Sequence, residues 1–199
     1  MKLIGIVGTN SDQSTNRQLL QYIQKHFNSQ ADIELCEIKD LPAFNEPKER
    51  IAPKGIQEIS DKILAADGVI ISTPEYDHTI TAALKSLLEW LSYTTQPLLN
   101  KPVLITGASL GSLGSSRAQA HLRQILDAPE LKARIMPSSE FLLGRSSQAF
   151  DEEGNLKDQT KVEELEEVFE EFVEFVEITN KLLESSSKIR KSQMSFTWK

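Results

Sequence analysis

Three polar segments of the chain hold residues whose types and spacing suit the binding of a phosphorylated, planar ligand. The first is Gly8-Thr-Asn-Ser-Asp-Gln-Ser-Thr-Asn16, with the hydroxyls of Thr9, Ser11, Ser14 and Thr15 and the amide of Asn16. Neutral donors at a helix start add to the free backbone N–H groups and the helix dipole in holding an anion. The same residues also read as an ordinary capped helix start, with Ser14 or Asp12 as the cap. The segment lacks the Gly-Lys-Ser/Thr ending of a P-loop, and no second and third glycine follow Gly8 as in the dinucleotide fingerprint. The second segment is Thr73-Pro-Glu-Tyr-Asp-His-Thr79. Pro74 stiffens it, Tyr76 offers a flat surface, and its backbone amides can border a planar ring. A solvent-facing turn is the plainer reading. The third runs from Thr106 to Arg117, where Gly107, Gly111 and Gly114 allow close backbone approach and positive φ, or simply a flexible connection.

These segments need elements to carry them. Apolar, β-rich runs recur at residues 2–8, 33–38, 69–73, 103–106 and 133–136. Between them lie apolar residues three or four apart: Leu19, Leu20, Ile23 and Phe27; then Ile56, Ile59, Ile63 and Leu64. Ile80, Leu84, Leu87, Leu88 and Leu91 follow, then Ala118, Leu122, Ile125 and Leu126, and finally Val162, Leu165, Phe169, Phe172, Val173 and Val176. Residues 40–55 read as a long connection, and residues 137–155 as a polar one. Alternating strands and helices predict one doubly wound α/β domain with a parallel sheet covered on both faces. Such sheets bind ligands beyond the carboxyl ends of their strands, at the point where the strand order reverses. All three polar segments fall at those ends.

The 199 residues, 39% hydrophobic and 26% charged, suit a single globular domain. One cysteine, Cys36, excludes an internal disulfide and a multi-cysteine zinc site, and it reads as a small buried hydrophobe. His26, His78 and His121 lack metal-ligand spacing, so no metal is expected. Without an apolar span or a signal segment, the expectation is a cytoplasmic protein with no membrane partner. The net charge of −7 argues against a nucleic-acid binder. It comes from residues 151–184, whose 13 acidic and 3 basic side chains give −10, the solvated face of the last helix. The domain is read as 1–184, followed by a basic tail over 185–199 with Phe196 and Trp198 as interface anchors.

Together the three segments resemble the NADPH-dependent FMN reductase family, which has a flavodoxin-like fold and includes flavin, quinone, azo-dye and chromate reductases. Gly8, Thr9, Ser14 and Asn16 fit its Gly-Ser-x-Arg-x-x-Ser-x-Asn loop, with Ser11 in place of the arginine. Pro74, Glu75, Tyr76 and His78 fit its Pro-Glu-Tyr-Asn-His motif, with Asp77 for the asparagine; Leu84, Lys85, Trp90, Leu91 and Ser92 follow as the family has them. Ser109, Gly111, Gly114, Arg117, Ala118, Gln119, Leu122 and Arg123 fit the third motif, with Ser115 for its last glycine. The likeness extends to about Met136.

The resemblance implies a flavodoxin-like, doubly wound, five-stranded parallel sheet in the order 2-1-3-4-5. It also implies bound FMN, with NADPH or NADH as co-substrate. The phosphate would lie against Thr9, Ser11, Ser14, Thr15 and Asn16. The ring would lie along Pro74, Glu75, Tyr76 and Asp77, with Ser109, Gly111 and Gly114 on its other side. Hydride chemistry belongs to the flavin, so no catalytic side chain is implied. The implied activity is reduction of free flavin, quinones or similar small acceptors, in a homodimer or homotetramer. Ser11, where the family has arginine, and the nearby Asp12 imply weak FMN binding, with Arg17 as the nearest cation. A flavodoxin-type electron carrier and a flavin-free binding protein on the same scaffold are the alternatives.

Overall fold

A computed structural model of the chain describes residues 1–138 and 140–185. Strands β1 (Lys2–Val7), β2 (Asp32–Cys36), β3 (Gly68–Ser72), β4 (Pro102–Ala108) and β5 (Arg134–Ile135) form a parallel sheet in the order β2-β1-β3-β4-β5. The helices are α1 (Thr15–His26), α2 (Lys54–Ala65), α3 (Ala82–Tyr93), α4 (Ser116–Leu126) and α5 (Gln159–Ser185).

The central strands β1, β3 and β4 are buried on both faces, which is why they are mostly apolar, whereas the edge strands β2 and β5 carry Asp32, Glu34 and Arg134. Side chains alternate across the sheet. Ile4 and Ile6 of β1 join Ile59, Ile63, Leu87 and Leu122 of α2, α3 and α4 on one side. Leu3 and Val7 join Leu20, Ile23, Phe169 and Phe172 of α1 and α5 on the other. There the rings of Phe27 and Phe169 stack with centroids 3.8 Å apart. Trp90 is core, and its indole N–H donates to the Pro42 carbonyl at 2.9 Å.

Three details differ from the sequence reading. The last sheet position is shared by two short strands. β5 pairs with Pro102 and Val103, while a sixth strand, β6 (Phe141–Leu143), pairs in parallel with Thr106–Ala108. β6 falls within residues 137–155, whose polar sequence reads as a connection. Leu64, assigned to the apolar face of α2, is exposed, because Ile56, Ile59 and Ile63 already complete that face. Ile80 is buried but precedes α3, which starts at Ala82 behind the Thr81 cap. Beyond Ser185 the basic tail lies outside the described residues. No helix among the described residues is long and apolar enough to cross a membrane.

Candidate functional site

The loops after β1, β3 and β4 meet at the carboxyl edge of the sheet around a cavity of about 620 Å³. That size suits one nucleotide-like ligand. From the first loop Thr9, Ser11, Ser14, Thr15 and Asn16 line it; from the second, Pro74, Glu75 and Tyr76; from the third, Ser109 and Gly111. Asp77 and Gly114 lie outside the lining.

The floor is built by Gly8 and Asn16. A Cβ on Gly8 would stand 2.6 Å from the Ser72 carbonyl oxygen, so only glycine lets β1 leave the sheet there. Asn16 is 2% exposed. Its Nδ2 donates to the Ala108 carbonyl at 2.9 Å, and its Oδ1 accepts from the Ala108 N–H at 2.8 Å and from the Ser72 hydroxyl at 2.9 Å. The Asn16 amide therefore joins α1 to the ends of β3 and β4, and its side chain is committed within the fold. Ser14, not Asp12, caps α1: its hydroxyl accepts from the Arg17 N–H at 3.2 Å. The Thr9 hydroxyl accepts from the Ser11 N–H at 3.2 Å. Thr15 lies 2.8 Å, hydroxyl to hydroxyl, from Ser146, the first residue of a short 3-10 helix.

The cations near this loop are engaged outside the cavity. Arg17 donates through Nε and Nη2 to the Glu37 carboxylate at 2.6 and 2.8 Å. Its Nη1 donates to the carbonyls of Ser11 and Asp12 at 3.0 and 3.1 Å, which staples the loop from behind. Lys39 pairs with Asp12 and holds its carboxyl below the usual range. Neither Asp12, Arg17 nor Lys39 is part of the lining, whose single cation among the described residues is Arg117.

The second loop closes on a two-residue turn. Tyr76 and Thr79 exchange backbone hydrogen bonds of 3.0 and 3.0 Å around Asp77 and His78, whose φ angles are 50° and 65°. Both left-handed positions are those of a type I′ turn, where Asp is well tolerated. The turn leaves Asp77 exposed and Tyr76 49% exposed at the lip. Glu75 points inward. Its Oε2 accepts from the N–H groups of Arg117 and Ala118 at 3.1 and 3.4 Å, and Nη1 of Arg117 donates to its Oε1 at 3.2 Å. The N-cap position of α4, Ser115, is left-handed and supplies no side-chain cap, so Glu75 supplies one from another loop.

In the third loop Gly111 is open, with nothing within 4 Å of a built Cβ. Gly114, at φ +57°, is a packing glycine instead: a Cβ would stand 2.6 Å from the Leu142 backbone. Sequence reasoning did not assign Gln13, Ala108, Leu110, Ser112, Leu113 and Arg117, which also line the cavity. Leu110 and Leu113, 73% and 48% exposed, form an apolar lip with Tyr76. Two leucines inside a glycine-serine loop were the available signal. Ser146, 131 residues from Thr15, had none.

A parallel sheet in this order, with a polar cavity where the order reverses beside β1 and β3, defines a flavodoxin-like fold. Residues 1–148 match the NADPH-dependent FMN reductase family, and the chain belongs to that family of flavin- and nicotinamide-dependent oxidoreductases. It is 60% identical to the NADH:(hydroxy)cinnamate reductase subunit CrdA of Vibrio ruber over 198 residues, 100% of this chain and 98% of the relative. It is 44% identical to the NADH-dependent flavin reductase subunit 2 of Lactobacillus johnsonii over 167 residues, 81% and 90% of the two chains. The NAD(P)H:(acceptor) oxidoreductase FerB of Paracoccus denitrificans shares the fold with a TM-score of 0.77 at 24% identity, covering 89% of this chain and 98% of that one.

Proposed function

We propose that the chain binds FMN in this cavity and uses NADH or NADPH to reduce free flavin, quinones or similar small acceptors. The observation that carries the reading is the mixed lining of the cavity. The loop at the α1 N-terminus contributes hydroxyl groups, and the other two loops contribute the exposed side chains of Tyr76, Leu110 and Leu113. This donor set fits a phosphate at the helix start and a planar ring at the lip. The hydroxyls of Thr9, Ser11, Ser14 and Thr15 would hold the phosphate together with backbone amides. Asn16 would act by fixing the floor, its amide being committed to Ala108. Pro74, Glu75 and Tyr76 would border the ring on one side and Ser109 and Gly111 on the other. Asp77 and Gly114 would serve through the turn and the packing that shape these walls.

When bound, FMN supplies the hydride chemistry, taking electrons from the nicotinamide and passing them to the acceptor. The protein's part is to orient both partners and to leave one face of the ring open. Tyr76, Leu110 and Leu113 would do this. Two relatives named for NADH favour that donor. Their names as subunits support assembly, which we take to be a homodimer or homotetramer working in the cytoplasm. Among the described residues the first loop brings no cation into the lining, so FMN is held weakly and is lost on purification.

The test is an FMN titration followed by anaerobic addition of NADH or NADPH. Saturable binding with prompt bleaching of the flavin is the expected result, and the faster nucleotide identifies the donor. Binding without bleaching would make the protein an electron carrier. No binding would overturn the reading.

A further inference from the structure

Arg117 combines three properties that no other residue of the cavity shares. It is the single cation of the lining among the described residues. Its side chain is half exposed, whereas that of its partner Glu75 is mostly buried. And the partner does not depend on it. Glu75 already accepts from the N–H groups of Arg117 and Ala118, and the guanidinium adds one further contact at 3.2 Å. A half-exposed ion pair with a single contact contributes little, so the guanidinium can turn toward another anion at small cost. Its partner Glu75 stands between Pro74 and Tyr76 in the second loop, and Arg117 itself follows the third loop, which carries Leu110 and Leu113; all of them line the cavity.

We infer that Arg117 reads a negative charge on the molecule that docks at the lip: a phosphate of the reducing nucleotide or a carboxylate of the electron acceptor. The inference deepens the function proposed above and rests on it. Glu75 sets the strength of this recognition, because its carboxylate competes for the same guanidinium. Arg117 is thus a specificity residue, and Glu75 positions it.

The test uses FMN-loaded protein and three variants. Arg117→Gln removes the charge but keeps the main-chain N–H groups that Glu75 accepts from. Arg117→Lys restores a charge without the planar fork. Glu75→Gln removes the competing charge, while its amide oxygen still accepts from α4. The first arm measures, by calorimetry, the dissociation constant of a non-reducing tetrahydro analogue of NADH and its phosphorylated counterpart. The second measures KM and kcat for a carboxylated and a neutral quinone at saturating nucleotide. Losing a charge-assisted contact should raise the affected constant roughly tenfold or more for Arg117→Gln. Arg117→Lys should recover part of it, and Glu75→Gln should lower it below the native value.

A shift in the first arm assigns the anion to the nucleotide. A shift in KM for the carboxylated quinone alone assigns it to the acceptor. Unchanged constants in both arms overturn the inference and leave the flavin reading standing. So do equal losses with charged and neutral ligands, which would mark a structural role. Native protein that binds no FMN overturns both.

Discussion

The carboxylate of Glu75 caps a helix that Arg117, 42 residues later, helps to begin. Two loops of the cavity are joined by that one side chain, and the left-handed Ser115 leaves α4 no cap of its own. Glu75→Ala should therefore lower stability by about 1–2 kcal/mol, the usual worth of a helix cap. Urea unfolding followed by far-ultraviolet dichroism would measure it. Glu75→Gln should avoid most of that loss, since an amide oxygen can still accept.

Asn16→Ala should cost more. It would leave the N–H and C=O of Ala108 and the Ser72 hydroxyl without their buried partner. Each abandoned group costs about 1–3 kcal/mol, with some recovered by relaxation, so a loss near 3 kcal/mol is expected in the same unfolding measurement. A loss below about 1 kcal/mol would show that water enters and replaces the amide.

Ser11→Arg should tighten FMN. Ser11 lines the cavity, while Arg17 and Lys39 are engaged by Glu37 and Asp12 behind the loop. A charge-assisted contact to the phosphate contributes about 1.5–3 kcal/mol, or roughly ten- to a hundredfold in affinity. Flavin fluorescence titration at low and high salt would read it, with the gain shrinking as salt rises. Unchanged affinity would mean that the phosphate lies elsewhere.

Gly107→Ala should disrupt the site without touching a ligand. A Cβ there would collide with the Thr73 carbonyl oxygen and the Ser115 hydroxyl. Backbone cannot swing away as a side-chain tip can, so the cost should reach about 3 kcal/mol. A melting temperature within a degree of native would contradict the packing described around β4.

Alkaline conditions should weaken the fold through Cys36. Burial pushes its thiol above the ordinary value of 9.0. The unfolded chain therefore loses this proton first as pH rises. The contribution is complete below pH 9 and is lost from there up to the raised folded value. In urea midpoints taken from pH 8 to 10, Cys36→Ala should show a shallower decline than the native chain.

How far all this could be read from the amino acids depends on the reach of each interaction. The five main strands follow from apolar runs of four to seven residues alternating with helical spacing, signals that are local, whereas their order comes from the family resemblance. β6 gave no such signal. Phe141-Leu-Leu143 is too short to show a period and becomes a strand only because the end of β4 offers it a free edge. The polar lining from Thr9 to Asn16 was legible as a set, because a strand end and a helix start bracket it. What each member does was not. The bonds of Asn16, Glu75 and Thr15 go to groups 92, 42 and 131 residues away. Gly114 illustrates the same limit: a glycine in a ligand loop and a glycine packed against a neighbouring backbone look alike until that neighbour is in place.

The two strands that Asn16 joins give the site a place in the order of folding. Ser72 and Ala108 lie 56 and 92 residues along the chain from it. Contacts of such separation form only after long loops have closed, so the floor of the cavity is a late product of assembly. A ligand that needs this floor has nothing to hold in a chain whose fourth strand is not yet in register. It draws the population toward the finished sheet, by an amount that grows with the logarithm of its concentration above Kd. Occupancy of the cavity thus reports on completed folding as well as on readiness for chemistry.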